Sequence, residues 1–365
     1  MNRILALAVR MVQRWMPDPF LFAVLLTIIT YALALIAGPK GPLELVGAWY
    51  GGIWKILEFA IQMTLVLVAG YTLAQAPAVR RGLAAIAGVA KTPARAIAIT
   101  VLVAMAAAFL NWGFGLVCSA LLAREMARRV KGLDFGLVVA AAYSGFVVWA
   151  SGLSSSIAII SATHASKMNF IEQQTGQVVP LSQTLWTAYN LVPCLVLAIA
   201  LPILFARLRP TEVREASREA LDEADRTDEA ATEIAATPAA RLERSPIITI
   251  VLLAGAIAYV VLRVRNTWRA PGTTFIDVNF IIFLFTMAGM ALHGRPIRYV
   301  QAWNRSARAA GPLLLQYPLY GGILGLLSDS SLAERMSNWA VQVSSTRTFP
   351  LFTFLSSNLI SLFVP

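Results

Sequence analysis

The stretch that decides the fold is FGLVVAAAYSGFVVWASGLSSSIAIISATH, residues 135–164. It contains no Asp, Glu, Lys or Arg, and it is long enough to cross a bilayer, since about 20 helical residues span a hydrocarbon core of roughly 30 Å. Gly145, Gly152 and Ser154–Ser156 weaken the helix or compete for its hydrogen bonds. The pattern predicts a membrane helix that is broken near its centre. The alternative is a continuous helix whose small residues admit a close neighbour.

The composition indicates a polytopic membrane protein. Of the 365 residues, 58% are hydrophobic and 13% are charged, and the mean hydropathy is +0.68. No soluble fold buries so much apolar surface. The net charge of +11 is explained by basic loops on the cytoplasmic side, so nucleic acid is not an expected partner. The sequence has no HExxH, GxGxxG, GxSxG or Walker motif and no cysteine spacing typical of a metal site, so an enzyme is not expected.

A second interrupted apolar run covers residues 96–122 and carries the sequence Asn111-Trp112-Gly113-Phe114-Gly115 in its middle. Basic residues flank both ends of the run, which favours a cytoplasmic location for both ends. About 27 residues are too few for two crossings of the bilayer. We therefore predict a re-entrant hairpin with its tip at Asn111–Gly115. One long tilted helix is the alternative, although it would place one basic cluster on the outer side.

Apolar runs and charged loops divide the chain into five predicted regions. The first region holds an interfacial helix, a first span and an aromatic surface segment (1–58). The second is a first transport repeat (59–207), with its hairpin at about 96–122 and its broken helix at about 135–162. A charged cytoplasmic linker (208–245), two spans with a cytoplasmic basic loop (246–309) and the start of a second repeat that ends at its hairpin tip (310–365) follow. The linker holds ten of the nineteen acidic residues, which predicts a solvated connector.

The order of spans, loops and kinks recurs along the chain. A shift of about 254 positions aligns Gln62 with Gln316 and Arg81 with Arg335. The first run enters its kink from the cytoplasm and the second enters from outside, which is typical of inverted-topology repeats. The first repeat continues well past its kink, whereas the second stops there. The expected fold is therefore an all-α polytopic membrane protein with inverted repeats, of which the second is truncated at its C-terminal end.

These features also resemble a known family. The motifs that carry this resemblance are Arg14-Trp15-Met16-Pro17-Asp18-Pro19-Phe20, the Asn111-Trp112-Gly113 kink, the break at Gly152–Ser156 and the final Leu362-Phe363-Val364-Pro365. They resemble the short-chain fatty acid transporter family (AtoE type), part of the ion transporter superfamily of secondary carriers. The resemblance covers the whole chain. It implies a carrier of small monocarboxylates, such as butyrate or acetoacetate, in the bacterial cytoplasmic (inner) membrane. It also implies two inverted repeats, a family architecture that is often homodimeric, and a second hairpin tip and broken helix beyond the final Val-Pro.

A site for an anion at midplane depth has to use helix N-termini, backbone N–H groups and hydroxyls, because charges are nearly absent from the spans. The candidates for binding substrate or ion are Asn111, Trp112, Gly113 and Gly115 at the hairpin tip, Ser151, Gly152, Ser154, Ser155 and Ser156 at the break, and Asn358 and Ser361 with the terminal Val364 and Pro365 in the second repeat. Oxygen atoms near Asn111 and Ser154 also predict a Na⁺ site. Simple helix packing is the alternative role for each of these residues.

The predicted function is secondary active transport by alternating access, coupled to Na⁺ or H⁺ and without another cofactor. The expected partners are a small monocarboxylate and the lipid bilayer. A dicarboxylate or other organic-anion exchanger is the alternative among carriers, although two carboxylates call for more donors. A membrane sensor that does not transport is the alternative from another class. The two histidines are interpreted as a boundary residue, His164, and a loop residue, His293.

Overall fold

A computed structural model describes residues 11, 14, 18–166, 168–208, 213–217, 219, 221, 237–269 and 276–361. Within these ranges the chain forms helices and loops, with no strand. The helices of the first half are α1 (Pro19–Ala37), α2 (Pro42–Lys55), α3 (Leu57–Ala74), α4 (Pro77–Val89), α5 (Pro93–Leu110), α6 (Trp112–Arg129), α7 (Phe135–Ser144), α8 (Ser156–Ala162), α9 (Phe170–Thr175) and α10 (Ala188–Arg207). The later helices are α11 (Pro238–Glu243), α12 (Pro246–Arg269), α13 (Val278–His293), α14 (Pro296–Arg308), α15 (Gly311–Asp329), α16 (Leu332–Val343) and α17 (Phe349–Ser361).

Six helices in the described ranges are long and apolar enough to cross a membrane, and α15 taken together with α14 raises the number to seven. The six candidate spans are Pro19–Ile36, Leu57–Ala74, Pro93–Leu110, Phe135–Ala162, Ala188–Arg207 and Pro246–Thr267. The prediction of an all-α polytopic membrane protein is thereby confirmed. The inverted relation of the two repeats, and re-entry of the hairpin into the membrane, stay predictions.

Proline and capping side chains define where many of these helices begin. Proline is the first residue of α1, α2, α4, α5, α12 and α14. It is well tolerated there because the first backbone N–H of a helix has no partner within the helix. Asp18 caps α1 by accepting a hydrogen bond from the Phe20 N–H (2.8 Å), and Thr92 accepts one from the Arg95 N–H (3.4 Å) at the start of α5.

The chain divides into two compact units, which are described separately. One comprises the described residues of 1–64 and 310–365, and the other those of 65–309. The larger unit contains α4 to α14 and the later part of α3. Its core is built mainly from small and aliphatic residues of α5, α6 and α7, among them Val101, Leu122 and Val138, which are fully buried. This composition lets the helices pack at short distances.

Part of the predicted linker is attached to the larger unit. The Phe135 N–H donates to the Arg214 carbonyl, and the Arg214 N–H donates to Asp134 Oδ2, both at 2.9 Å. Further along, Leu221 is buried, with 4% of its surface exposed. Arg214 therefore bonds to the start of α7, while Val213, Arg214 and Glu215 themselves are exposed.

In the smaller unit, glycine brings α2 and α15 into backbone contact. A Cβ atom on Gly52 would lie 2.3 Å from the Gly321 carbonyl oxygen, and one on Gly325 would lie 2.3 Å from that of Ala48. Real side chains do not fit at such distances, so a larger residue would separate the helices. Gly321 and Gly325 form the small-xxx-small spacing that is common where membrane helices approach closely.

We expect Gly52→Leu to destabilise the smaller unit, because its side chain has no space between α2 and α15. Forcing extra methylene groups into a packed interior costs about 1–3 kcal/mol. Gly51→Leu is the matched control, since a Cβ atom there has no heavy atom within 4 Å among the described residues. The measurement is thermal unfolding of the two purified variants in detergent. Equal melting temperatures would contradict the close packing of α2 and α15.

Candidate functional site

Asn111 forms the tip of the hairpin and caps two helices at once. It is the only residue between α5 and α6, and its backbone is extended, with φ −157° and ψ 129°. Its side-chain Oδ1 accepts a hydrogen bond from the Phe114 N–H at 2.9 Å, and its carbonyl accepts one from the Gly115 N–H at 2.8 Å. Asparagine is among the best helix N-cap residues for this reason. The two helices are therefore joined by a turn of one residue.

The amide nitrogen of Asn111 is a buried donor. Asn111 is 0% exposed, and its Nδ2 atom has no hydrogen-bond partner among the described residues. Exchange of the amide oxygen and nitrogen would not remove this problem, because Oδ1 is the acceptor that the Phe114 N–H requires. A buried polar atom without a partner costs about 1–3 kcal/mol. Native proteins satisfy nearly all such atoms, and an acceptor outside the chain, a ligand or a water molecule, would satisfy this one.

The helix that follows is interrupted, as the sequence predicts. After α7 the chain forms a 3₁₀ segment over Gly145–Ser151, and α8 begins only at Ser156. Ser155 caps α8, its Oγ accepting from the Ala158 N–H at 3.4 Å, and only 1% of Ser155 is exposed. Residues 152–155 therefore lie between two helical segments inside the protein.

The interruption lies directly against the hairpin tip. Ser154 Oγ accepts a hydrogen bond from the Trp112 N–H at 2.9 Å, and the Leu153 N–H donates to the Phe109 carbonyl at 2.6 Å. A Cβ atom on Gly152 would lie 2.2 Å from that same carbonyl oxygen, so glycine is required for this approach. The structure thus brings together the two candidate clusters of the first repeat, although they lie about 40 residues apart in the chain.

Helix α3 also packs against the hairpin tip. A Cβ atom on Gly70 would lie 2.3 Å from Asn111 Oδ1, and one on Gly113 would lie 2.7 Å from the Cα of Leu67. Sequence reasoning missed Gly70, since a single glycine within an apolar span is common in membrane helices. Its position beside Asn111 shows that α3 belongs to the environment of the predicted site.

The other candidates have mainly backbone roles. The Ser151 carbonyl accepts a hydrogen bond from Asn190 Nδ2 at 3.0 Å, and Ser156 is the first residue of α8. A Cβ atom on Gly115 would lie 2.5 Å from the Cα of Ala108, so this glycine allows α5 and α6 to pack closely. Asn190 was not predicted; its amide also donates to the Leu185 carbonyl at 2.9 Å and so holds the break to the start of α10.

The candidates of the second repeat stay untested. Asn358 and Ser361 lie in α17, but their side chains are outside the described part of the chain. Val364 and Pro365 are outside the described residues altogether.

The two histidines do not lie at the hairpin tip. His164 is highly exposed and its Nδ1 atom contacts the Glu172 carboxylate, as suits a boundary residue. His293 is not in a loop: it is the last residue of α13, is buried, and its Nδ1 lies 2.8 Å from the Gly289 carbonyl oxygen. The loop interpretation was wrong because the helix continues up to Gly294, whose positive φ of 72° ends it.

The oxygen atoms at the tip and the break already accept backbone N–H groups. This holds for Asn111 Oδ1, Ser154 Oγ and Ser155 Oγ. Each retains capacity for a further contact, because carbonyl and hydroxyl oxygens carry two lone pairs. Within the described ranges no three His, Cys, Asp or Glu side chains cluster as metal ligands. A cation bound at the tip would therefore be held by neutral oxygens.

Phe109 connects the break to an apolar groove. The groove has a volume of about 520 Å³ and is lined by residues of α5, the 3₁₀ segment and α10, including Phe109, Val148 and Cys194. Asn111 and Ser154 do not line it. The polar atoms of the candidate site are thus enclosed by packed protein, and a ligand can reach them only if the hairpin, the break or α3 moves.

Comparison with known proteins places these features in a family. A family model described as "Short chain fatty acid transporter" matches residues 1–365. A relative from Escherichia coli (strain K12) is 35% identical over 367 residues, and one from Haemophilus influenzae (strain Rd) is 34% identical over 368 residues. Each alignment covers 100% of this chain and 81% of the relative, and both relatives are named "Putative short-chain fatty acid transporter". No solved structure matches the chain.

We expect Ser154→Ala to destabilise the larger unit by about 1–3 kcal/mol, because the buried Trp112 N–H loses its acceptor. Ser161→Ala is the matched control. Its hydroxyl donates to the Ile157 carbonyl one turn earlier, and its loss leaves no backbone donor unsatisfied. The free energy of unfolding of both variants, measured in detergent, tests this. A Ser154→Ala protein as stable as the Ser161→Ala protein would show that the contact between break and tip contributes nothing.

Proposed function

Since this chain belongs to the short chain fatty acid transporter family, we propose that it carries small monocarboxylates, such as butyrate or acetoacetate, across the bacterial cytoplasmic membrane. The observation that supports a specific site is the Asn111 amide nitrogen, a fully buried donor without a partner among the described residues. The carboxylate of a short-chain acid is the acceptor that this donor lacks. The residues at the tip would then bind the substrate during transport.

The position of Asn111 suits an anion for a second reason. It stands at the N-terminus of α6, a helix of 18 residues, where the partial positive charge of the helix dipole is located. In a site without water this field acts with little screening. One carboxylate can thus be bound without a buried Lys or Arg, which would be costly to place within the membrane.

The same donors favour one carboxylate over two. The Trp112 N–H is already bonded to Ser154 and the Phe114 N–H to Asn111, so few donors remain at the tip. A dicarboxylate would leave its second charge without a comparable partner. The small number of donors among the described residues therefore favours a monocarboxylate carrier over a dicarboxylate or other organic-anion exchanger.

For the mechanism we propose alternating access coupled to Na⁺ or H⁺. A Na⁺ ion would use the remaining lone pairs of Asn111 Oδ1 and Ser154 Oγ together with backbone carbonyls near the break. Binding of both ligands would replace part of the contact between tip and break and so favour movement. In inverted-repeat carriers such movement exposes a midplane site to one side of the membrane at a time.

Uptake of radiolabelled butyrate and acetoacetate into proteoliposomes tests this function. We expect accumulation when a Na⁺ gradient or a pH gradient is imposed and none without a gradient. A membrane sensor would bind the acid without accumulating it, so binding without gradient-driven uptake would overturn the proposed function. Uptake of dicarboxylates in preference to butyrate would instead favour the organic-anion exchanger.

Asn111→Asp separates the proposed roles of the tip. Aspartate retains the acceptor that caps α6 but replaces the amide donor by an oxygen, so it should repel a carboxylate. We expect uptake to fall at least tenfold and thermal stability to fall as well, because the carboxylate is placed at a fully buried position where its second oxygen has no donor among the described residues. Ser155→Ala is a second variant, whose loss of the α8 cap is expected to lower uptake together with stability. Full uptake by Asn111→Ala, which has no side-chain donor at any pH, would rule out donation from Asn111 to the substrate.

A further inference from the structure

A second cavity lies between α12 and α13, within the larger unit. Its volume is about 620 Å³, and the residues that line it include Leu252, Gly255, Tyr259, Arg263, Asp277 and Met287. No residue of the hairpin tip or of the break lines it. It thus has a different position and a different chemistry from the proposed transport site.

One end of this cavity carries a fixed ion pair. The Arg263 guanidinium contacts the Asp277 carboxylate, donates to the Tyr259 hydroxyl at 3.0 Å, and lies 4.9 Å from the centre of the Phe280 ring. Asp277 in turn caps α13 by accepting from the Phe280 N–H at 2.7 Å. About a quarter of each charged side chain is exposed. The two opposite charges are therefore held in place and remain accessible to a ligand.

The ion pair lies near one end of the candidate membrane span in α12. Arg263 follows the first residue of α12 by seventeen positions, or about 26 Å of helix, and Asp277 immediately precedes α13. Asp277 is thus at the start of α13, and Arg263 lies four residues before the end of the candidate span Pro246–Thr267. Across a hydrocarbon core of roughly 30 Å, this end of α12 reaches the membrane surface.

Beyond the ion pair, Tyr259 and Asn279, the cavity lining is apolar and follows the two helices into the membrane. Leu252 lies eleven positions before Arg263, and Met287 lies ten positions after Asp277, which corresponds to about 15 Å along each helix. Gly255 keeps the wall open, since a Cβ atom there would meet no heavy atom within 4 Å among the described residues. The cavity is therefore charged at the membrane surface and apolar over about half of the hydrocarbon core.

We propose that this cavity binds a phospholipid whose headgroup carries both a phosphate and a primary ammonium group. The phosphate would contact Arg263, the ammonium group would contact Asp277, and an acyl chain would extend between α12 and α13. The lining has one positive and one negative side chain, which matches a zwitterion better than an anionic headgroup. A short-chain acid of about four carbons would fill only a small part of a cavity of this size.

Native mass spectrometry of the delipidated, full-length protein in detergent tests the headgroup. The probes are phosphatidylethanolamine and phosphatidylglycerol with identical acyl chains. We expect phosphatidylethanolamine to bind at least fivefold more tightly, and we expect Arg263→Gln and Asp277→Asn each to weaken its binding at least fivefold. Arg265→Gln is the matched control, because Arg265 is exposed on the same helix and does not line the cavity. Equal affinities for the two lipids would overturn the proposed headgroup.

Gly255→Leu tests the acyl chain without changing the ion pair. Its side chain should fill the apolar part of the cavity, so binding of phosphatidylethanolamine should fall at least fivefold while thermal stability is retained. This variant keeps the proposal testable if the charge variants fail to fold. Unchanged lipid binding by Gly255→Leu would overturn the proposed position of the acyl chain. Displacement of the bound lipid by millimolar butyrate would overturn a dedicated lipid site. Loss of transport in an Asn111 variant would leave the proposed lipid site unaffected.

Discussion

Two helix interruptions that satisfy one another are the constraint on which the larger unit depends. Inside a bilayer there is no water to accept or donate hydrogen bonds, so a break in one helix needs partners from another part of the protein. Here the Trp112 N–H at the start of α6 bonds to Ser154, and the Leu153 N–H bonds to the carbonyl of Phe109 at the end of α5. The hairpin tip and the broken helix are therefore interdependent. Gly152 makes this contact sterically feasible, and Gly70 and Gly113 do the same for the packing of α3 against the tip.

The interruptions were predictable from the sequence because their causes are local. Asn111 is flanked by apolar runs and followed by two glycines, and the break contains Gly152 and consecutive serines, which weaken a helix wherever they occur. The partners were not predictable in the same way. Gly70 and Asn190 contact the site only through the packing of distant helices, and a single glycine or asparagine in an apolar run has no specific sequence signal.

Charge patterns predicted less of the structure than hydropathy did. The acidic linker is predicted to be a solvated connector, and its described residues are mostly exposed, but its charge content gives no sign that Leu221 is buried or that Arg214 bonds to the start of α7. The end of α12 carries Arg263, Arg265 and Arg269, a cluster that the positive-inside rule counts as cytoplasmic charge. Arg263 is paired with Asp277, so its charge is balanced within the protein. Such pairing depends on tertiary contacts that loop charge counts do not include.

The turn of one residue at Asn111 has a mechanical consequence. A longer loop could absorb a change in the angle between two helices, whereas Asn111 has extended backbone angles and hydrogen bonds to both neighbouring helices. Helices α5 and α6 must then rotate together as one rigid body. The backbone bends more easily at Gly145–Ser151, because the hydrogen bonds of a 3₁₀ helix are weaker than those of an α-helix. During a transport cycle, strain would therefore concentrate in the broken helix, while the hairpin keeps its shape.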